Sequence, residues 1–213
     1  MDPIFKVAAL GDSSGVGIGS HDSAGYPDRL AKWLVQQGFK VGLMNVAESG
    51  ATATKVRARQ VGAALRRPAD LILLGVGTND LWRMTPIESF GADLEAIGDK
   101  LASTGAPVLV ANIIDLSLAP IGRMIESFLQ IPRATFHERL AKMNARVAKM
   151  AADRRFELVD LHAVSVAELS SHPEYFGPDG FHGSAAGYER WSVALRPAAL
   201  EAAEAWSRRR ATA

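Results

Sequence analysis

The chain contains no cysteine, and this absence removes several kinds of chemistry at once. A disulfide framework, a thiolate zinc site and a cysteine nucleophile all require the thiol group. Any reactive side chain must therefore come from Ser, His, Asp, Glu, Lys or Tyr. No two histidines have helical or tight-turn spacing, and no carboxylate cluster accompanies them. We therefore expect neither a metal site nor a cofactor.

An excess of charge of one sign is also missing. Lys and Arg number 24 against 23 Asp and Glu in 213 residues. Without a net positive field, nothing concentrates a nucleic acid or an anionic membrane surface around the chain. We therefore expect a small-molecule ligand and no nucleic acid partner. The sequence gives no indication of the oligomeric state.

Long hydrophobic runs are absent as well. No apolar stretch approaches the roughly eighteen residues that a membrane span requires, so we expect none. The first ten residues, MDPIFKVAAL, contain one lysine and lack both a basic leader region and a small-residue cleavage site. A cytoplasmic location is the expectation, although a leader trimmed from this sequence would leave the same appearance.

Short apolar runs alternate along the chain with longer helical patterns. With 48% hydrophobic residues, the length suits one domain over residues 1–213, with a frayed tail over about 207–213. Strands joined by single helices predict a mostly parallel sheet covered by helices. The five predicted strands are FKVAAL, VGLMNVA, LILLGV, PVLVANII and FELVD.

Four helical patterns separate these strands. Turn residues, prolines and one apolar stripe predict helices from Tyr26 to Gly38, from Thr52 or Thr54 to Leu65, from Thr85 to near Gly105, and from Ala134 to Ala152. The segment Leu116–Arg133 is too long for an ordinary connection. We interpret it as a lid or substrate wall, with a dimer contact as the alternative. In such sheets, ligands bind beyond the carboxyl ends of the strands.

The first predicted strand ends in the loop LGDSSGVGIGS. It could cradle a phosphate, or it could present Ser13 as a nucleophile. A P-loop requires Lys followed by Ser or Thr, and the dinucleotide fingerprint requires G-x-G-x-x-G. Neither is present, because Gly15, Gly17 and Gly19 are spaced G-x-G-x-G. We expect no helix directly after Gly11, where a pyrophosphate would need one, and alone this loop could be a flexible turn.

Other loops at strand ends supply polar groups that complement a serine. NVAESGAT contributes the backbone N–H of Gly50, and GVGTND contributes the amide of Asn79. Asp179 precedes His182 by three residues, so its carboxylate can hold the imidazole through Nδ1–H. His182 would then serve as the base for Ser13. The Ser13 N–H, the Gly50 N–H and the Asn79 amide would stabilise an oxyanion, so the pattern indicates acyl transfer.

These residues resemble the four blocks of the SGNH hydrolases, the GDSL-type esterases and lipases. The blocks are G-D-S at residues 11–13, the lone Gly50, G-x-N-D at 77–80 and D-x-x-H at 179–182, in the family's order. The resemblance implies a three-layer αβα, flavodoxin-like domain that hydrolyses esters or thioesters. It also implies Ser13 as nucleophile, His182 as base, Asp179 as orienting acid, and the Ser13 N–H, Gly50 and Asn79 as the oxyanion hole.

Two positions depart from the family pattern. Gly183 follows the histidine where many members have proline, which predicts a looser loop around His182. Ser14 replaces the common leucine after the nucleophile and adds a second hydroxyl. A carbohydrate O-deacetylase, an acyl-thioesterase, a nucleotide-binding α/β module and a non-catalytic ligand-binding domain are the alternative functions.

Several other polar residues have structural interpretations. Asp12 is expected to stabilise the turn beside Ser13, and Asp80 to cap the segment that follows it. The remaining histidines lack an acid three residues before them in a matching block, so we rank them below His182. They are His21, His137, His162 and His172.

Overall fold

The computed structural model describes residues 3–212 and is built on a parallel sheet of five strands. Each strand coincides with one of the apolar runs, so the predicted sheet is confirmed. The strand order is β2-β1-β3-β4-β5, the order of flavodoxin-like folds. The strands are β1 (Phe5–Gly11), β2 (Val41–Asn45), β3 (Leu71–Gly75), β4 (Val108–Ala111) and β5 (Glu157–Val159).

Helices connect the strands, and the four predicted patterns are each helical. The α-helices are α1 (Ser13–Val16), α2 (Tyr26–Gln36), α3 (Ala53–Lys55), α4 (Val61–Ala64), α5 (Thr78–Trp82), α6 (Ile87–Ala102), α7 (Ile125–Leu129), α8 (Arg133–Asp153), α9 (Leu161–Glu168) and α10 (Ala185–Ala211). A π-helix spans Val56–Gln60, and 3₁₀-helices span Leu116–Leu118, Pro120–Met124 and Pro173–Tyr175.

The sheet is buried on both faces, which gives the three-layer arrangement. Along β1, Ala8 and Leu10 face one hydrophobic core, whereas Val7 and Ala9 face the other. This alternation follows from the two-residue period of a strand, and burial on both sides explains why the strands read as continuous apolar runs. Helices α6 and α8 pack together over the first face, and α2 and α10 over the second.

Three local features differ from the sequence-based expectation or refine it. The expectation that no helix begins directly after Gly11 is wrong, because Asp12 caps the single turn α1. The helix predicted to end near Leu65 contains the π-helical turn Val56–Gln60 between α3 and α4. Helix α10 continues to Ala211, so most of the predicted frayed tail is helical, and residue 213 lies outside the described residues.

The segment Leu116–Arg133 forms a small structure of its own beside the carboxyl ends of the strands. It contains two 3₁₀-helices and α7. The Ile121 N–H donates to the Gly180 carbonyl at 3.1 Å, which attaches the segment to the turn that precedes His182. No helix within residues 3–212 has the combination of length and apolar character needed to cross a bilayer.

Candidate active site

Ser13 lies where the strand order reverses. Strands β1 and β3 are neighbours, with Gly11 paired to Gly75 at their carboxyl ends, and Ser13 begins α1 two residues beyond β1. Parallel α/β sheets bind ligands at such a reversal point. Ser13 is 8% exposed. Its backbone N–H has no acceptor within the described residues, as is usual at the first position of a helix, and remains available to a ligand.

Asp12 holds the turn that presents the serine. Its Oδ1 accepts hydrogen bonds from the Ser14 backbone N–H at 3.0 Å and from the Ser14 hydroxyl at 2.8 Å. Burial raises the pKa of the Asp12 carboxyl, and the two bonds from Ser14 oppose that rise. The geometry matches the expected turn-stabilising role. It also shows that the Ser14 hydroxyl is engaged by Asp12.

Asp179 and His182 form a hydrogen-bonded pair across the turn that joins them. Asp179 Oδ2 lies 2.6 Å from His182 Nδ1. Asp179 Oδ1 accepts from the backbone N–H groups of Phe181 at 3.0 Å and His182 at 2.9 Å. Partial burial would raise the pKa of the Asp179 carboxyl, but the bonds from the His182 ring and the two N–H groups lower it overall. The carboxylate is thus stabilised in its charged form beside the imidazole.

Backbone hydrogen bonds fix the loop that carries His182. The Gly177 N–H donates to the His182 carbonyl at 2.8 Å, and Phe176 forms an isolated β-bridge with Gly183. A Cβ at Gly183 would lie 2.6 Å from the Tyr188 ring, so a side chain there would displace the tyrosine. Glycine after the histidine therefore accommodates close packing, and the loop is held in place despite the missing proline.

The first loop packs directly on the histidine loop. A Cβ on Gly19, whose φ is +89°, would lie 2.7 Å from the Cβ of His182. The Tyr188 hydroxyl donates to the Ile18 carbonyl at 2.7 Å and ties the serine loop to helix α10, which follows the histidine loop. The last glycine of the GVGIG run thus allows the serine loop and the histidine loop to touch.

The remaining candidate groups belong to the loops after β2 and β3. Gly50 occupies a turn with φ +71°, and its N–H has no acceptor within residues 3–212. The Asn79 amide donates to the Ala51 carbonyl at 3.1 Å. Because a side-chain amide carries two N–H donors, this bond orients Asn79 and leaves one donor available.

One expected contact is not formed in this structure. Among the described residues, the Ser13 hydroxyl has no hydrogen bond to His182 or to another side chain. The Asp179–His182 half of the arrangement is therefore assembled, while the Ser13–His182 half is not. Such bonds are often long in ligand-free hydrolases and shorten when substrate binds.

A comparison with protein-family models identifies the family of the chain. Residues 9–190 match the model of the GDSL-like lipase/acylhydrolase family, and the match includes every block described above. The chain belongs to this family. It is therefore a carboxylic ester hydrolase. No curated protein matches the chain.

Solved structures share the fold of this GDSL hydrolase. TesA is 21% identical with a TM-score of 0.72, covering 90% of this chain and 96% of that chain. The lipase/acylhydrolase from Enterococcus faecalis is 20% identical with a TM-score of 0.72, covering 90% and 93%. The acetyl xylan esterase AlAXEase is 20% identical with a TM-score of 0.71, covering 91% and 98%. At these identities the likeness shows the shared fold.

Gln60 is a site-supporting residue that the sequence did not reveal. It is 1% exposed, and its amide forms two bonds with Gly11, the last residue of β1. The Gly11 N–H donates to Gln60 Oε1 and Gln60 Nε2 donates to the Gly11 carbonyl, both at 2.8 Å. Gln60 thus fixes the backbone two residues before Ser13. A glutamine 49 residues away in the sequence carries no recognisable signal for this contact.

Asp80 differs from its expected role. It is fully buried, and its Oδ2 accepts from the Ala53 N–H at 2.9 Å, so it caps the helix that follows Gly50. The expectation that Asp80 caps the segment after itself is wrong. The carboxylate instead connects the Asn79 loop to the Gly50 loop. Burial raises the pKa of the Asp80 carboxyl, and the hydrogen bond from the Ala53 N–H opposes that rise.

Two of the other histidines are engaged elsewhere in the hydrolase. His172 pairs with Glu174 at 2.7 Å and stacks on Tyr175. His137 Nε2 lies 2.8 Å from the Ser117 hydroxyl and connects α8 to the segment Leu116–Arg133. His172 also has an acid on Nδ1, whereas His137 is bonded through Nε2. Contact with the serine loop at Gly19 is what distinguishes His182 from both.

Proposed function

We propose that this GDSL hydrolase cleaves small to medium acyl esters through an acyl-enzyme on Ser13. His182 acts as the base and Asp179 as the acid that orients it. The observation that carries the proposal is the 2.6 Å bond between Asp179 and His182 Nδ1, on a loop packed against the serine loop at Gly19. A bond at Nδ1 leaves Nε2 of His182 to accept a proton.

The reaction follows from these roles. His182 Nε2 takes the proton of the Ser13 hydroxyl as the oxygen bonds to the acyl carbon. The tetrahedral intermediate collapses, the bond to the alcohol oxygen breaks, and the imidazolium gives its proton to that oxygen. Water then attacks the acyl carbon as His182 takes its proton. The bond between the Ser13 oxygen and the acyl carbon breaks, the imidazolium returns the proton to that oxygen, and the acid leaves. Asp179 stays ionised throughout, in agreement with its lowered pKa.

Three donors are proposed to form the oxyanion hole. They are the backbone N–H groups of Ser13 and Gly50 and the free N–H of the Asn79 amide. The absence of a protein acceptor for the two backbone groups within residues 3–212 supports this role. Preorganised donors of this kind stabilise the developing negative charge without a reorganisation cost during the reaction.

An aromatic surface beside His182 offers contact area to apolar substrate groups. The Phe181 ring lies 4.8 Å from the His182 ring, and Trp82 packs edge-on against Phe181 at 5.4 Å. Deacetylation of carbohydrates is the second candidate, because AlAXEase, an acetyl xylan esterase, shares the fold. An acyl-thioester would use the same groups. A series of acyl chains and leaving groups distinguishes these substrates.

The nucleotide-binding alternative fits the first loop poorly. The start of α1, where a phosphate would bind, is already capped by the buried carboxyl group of Asp12. Asp12 Oδ1 already accepts the Ser14 backbone N–H, one of the donors that a phosphate at this position would use. Thermal shifts with ATP, NAD and FMN test this alternative directly.

Covalent labelling tests the proposed nucleophile. A fluorophosphonate should label the wild-type protein at Ser13 and leave Ser13→Ala unlabelled. Ser14→Ala is the matched control, because it removes the neighbouring hydroxyl and should still be labelled. Turnover of p-nitrophenyl butyrate should follow the same order. Near-wild-type turnover by Ser13→Ala would refute the proposal, and an unlabelled wild type with an intact pocket would indicate a non-catalytic ligand-binding domain.

A further inference from the structure

A guanidinium group stands beside one of the proposed oxyanion donors. Arg83 Nη2 lies 3.5 Å from the position that a Cβ on Gly50 would occupy. Among residues 3–212, no other atom outside the two chain neighbours of Gly50 comes within 4 Å of that position. The Arg83 backbone is fixed, because its N–H donates to the Asn79 carbonyl at 2.9 Å at the end of α5. Arg83 thus extends from the Asn79 loop over the Gly50 loop.

The guanidinium of Arg83 forms no ion pair with any residue that the structure describes. Arg57 lies 3.0 Å from Asp93, and Arg59 lies 3.7 Å from Glu48. No carboxylate among residues 3–212 lies within 4.0 Å of Arg83, whose side chain is exposed. A planar guanidinium presents a fork of donors that matches a carboxylate or another oxyanion. Solvent and a bound substrate are therefore what its donors can reach.

We propose that Arg83 binds an anionic group carried by the substrate, so that the preferred substrates are esters with a carboxylate near the scissile carbonyl. This inference rests on the proposed function, because Arg83 is placed by its distance to the proposed oxyanion donor Gly50. The leaving oxygen has to face His182 to receive its proton, whereas Arg83 lies on the Gly50 side. The acyl part of the ester is therefore the first source of the anion to test, and the alcohol part the second.

Matched ester pairs separate the anion from the size of the substrate. The acyl arm compares p-nitrophenyl hemisuccinate with p-nitrophenyl butyrate, which have four-carbon acyl chains with and without a terminal carboxylate. The alcohol arm compares 3-acetoxybenzoate with 3-tolyl acetate. Uncatalysed hydrolysis is subtracted in each case, because the hemisuccinate also reacts by itself. The readout is the ratio of kcat/KM for the anionic ester to that for its neutral partner.

The proposal gives a definite order of variants. Arg83→Gln should lower the ratio roughly tenfold or more in one arm, mainly through KM, as expected for the loss of a hydrogen bond to a charged group. Arg83→Lys keeps the charge and should retain part of the preference. Arg208→Gln, which removes an exposed arginine from α10, is the matched control for charge and should leave the ratio at its wild-type value. The wild-type preference should also weaken in 1 M salt.

Three outcomes would overturn the inference. If Arg83→Gln leaves both ratios unchanged, the guanidinium does not contact the anion. If it lowers turnover of anionic and neutral esters equally, Arg83 supports the oxyanion hole and no anion of the substrate. If Arg83→Lys is as defective as Arg83→Gln and the wild-type ratio does not change in 1 M salt, charge is not what matters. Fluorophosphonate labelling separates these results from failure of the proposed function, since a labelled Ser13 with an unchanged ratio refutes only the role of Arg83.

Discussion

Asp12 and Asp179 lie in contacting regions of the molecule, and their surroundings give them different properties. Asp12 is 4% exposed and bonds to Ser14, and burial raises its pKa. Asp179 is half-exposed and bonds to His182, and its pKa is lowered despite partial burial. The carboxyl group that favours the ionised form is the one that touches the imidazole. This difference supports Asp179 as the orienting acid and Asp12 as a cap.

Substitution of each carboxylate by its amide should separate these roles. Asp179→Asn retains the size of the side chain but leaves the His182 ring in the wrong tautomer or orientation, so kcat should fall by up to about 10⁴-fold. Asp12→Asn keeps an oxygen acceptor for Ser14 and should affect kcat far less. The measurement is kcat with p-nitrophenyl butyrate at saturation. A larger loss in Asp12→Asn than in Asp179→Asn would reverse the assignment.

The raised pKa of Asp12 makes a prediction about stability and pH. Burial favours the neutral carboxyl in the folded state, so the stabilising contribution of Asp12 is complete below its unfolded pKa of about 4. That contribution is lost as the pH rises through the higher folded-state pKa. Asp12→Asn, which cannot ionise, should therefore gain in Tm relative to wild type as the pH rises above about 4. A Tm difference that stays constant across this range would contradict the prediction.

The π-helical turn between α3 and α4 turns Gln60 towards the end of β1. π-Helical turns inside α-helices often occur at functional sites. Here the turn ends at Gln60, whose amide pairs with both backbone groups of Gly11 in the way a neighbouring strand would. The helix after Gly50 thus fixes the strand that presents Ser13.

Loss of the Gln60 amide should weaken both folding and catalysis. Gln60→Leu keeps an apolar side chain of similar length but removes both partners of Gly11, at about 1–3 kcal/mol for each buried group left unpaired. The Gly11 carbonyl retains the Glu48 N–H at 3.2 Å, so the Gly11 N–H should account for most of the cost. Urea denaturation measures the free energy of unfolding, and kcat reports the placement of Ser13. Arg59→Leu, on the same turn but exposed, is the control, and equal stability of the two variants would contradict the prediction.

Local sequence patterns predicted the strands and the long helices because both signals are short-range. A run such as LILLGV indicates a strand buried on both faces, and the stripe in Ala134–Ala152 indicates helix α8. The candidate site residues could be named because each lies in a block of the family pattern. The π-helical turn, the Gln60 clamp and the Asp80 cap could not, since each depends on a partner that only the fold brings near.

Contacts between the N-terminal and C-terminal parts of the chain assemble the candidate site. Tyr188 in α10 reaches the Ile18 carbonyl, and Gly19 meets His182. The same histidine loop is bonded to the segment Leu116–Arg133 through the Gly180 carbonyl. The serine loop, the histidine loop and this segment therefore form one connected surface. Substrate choice is expected to depend on the segment, because it borders the aromatic surface next to His182.

Phe128 is the residue of this segment best placed to contact an apolar chain. It is 72% exposed, and its ring packs edge-on against Trp82 at 6.0 Å, on the surface that continues to Phe181. Phe128→Ala should lower kcat/KM for p-nitrophenyl octanoate roughly three- to tenfold relative to the acetate, because the longer chain loses apolar contact. Val35→Ala, an exposed residue of α2, is the control. An unchanged ratio together with a change of oligomeric state in light scattering would instead assign Phe128 to a contact between protomers.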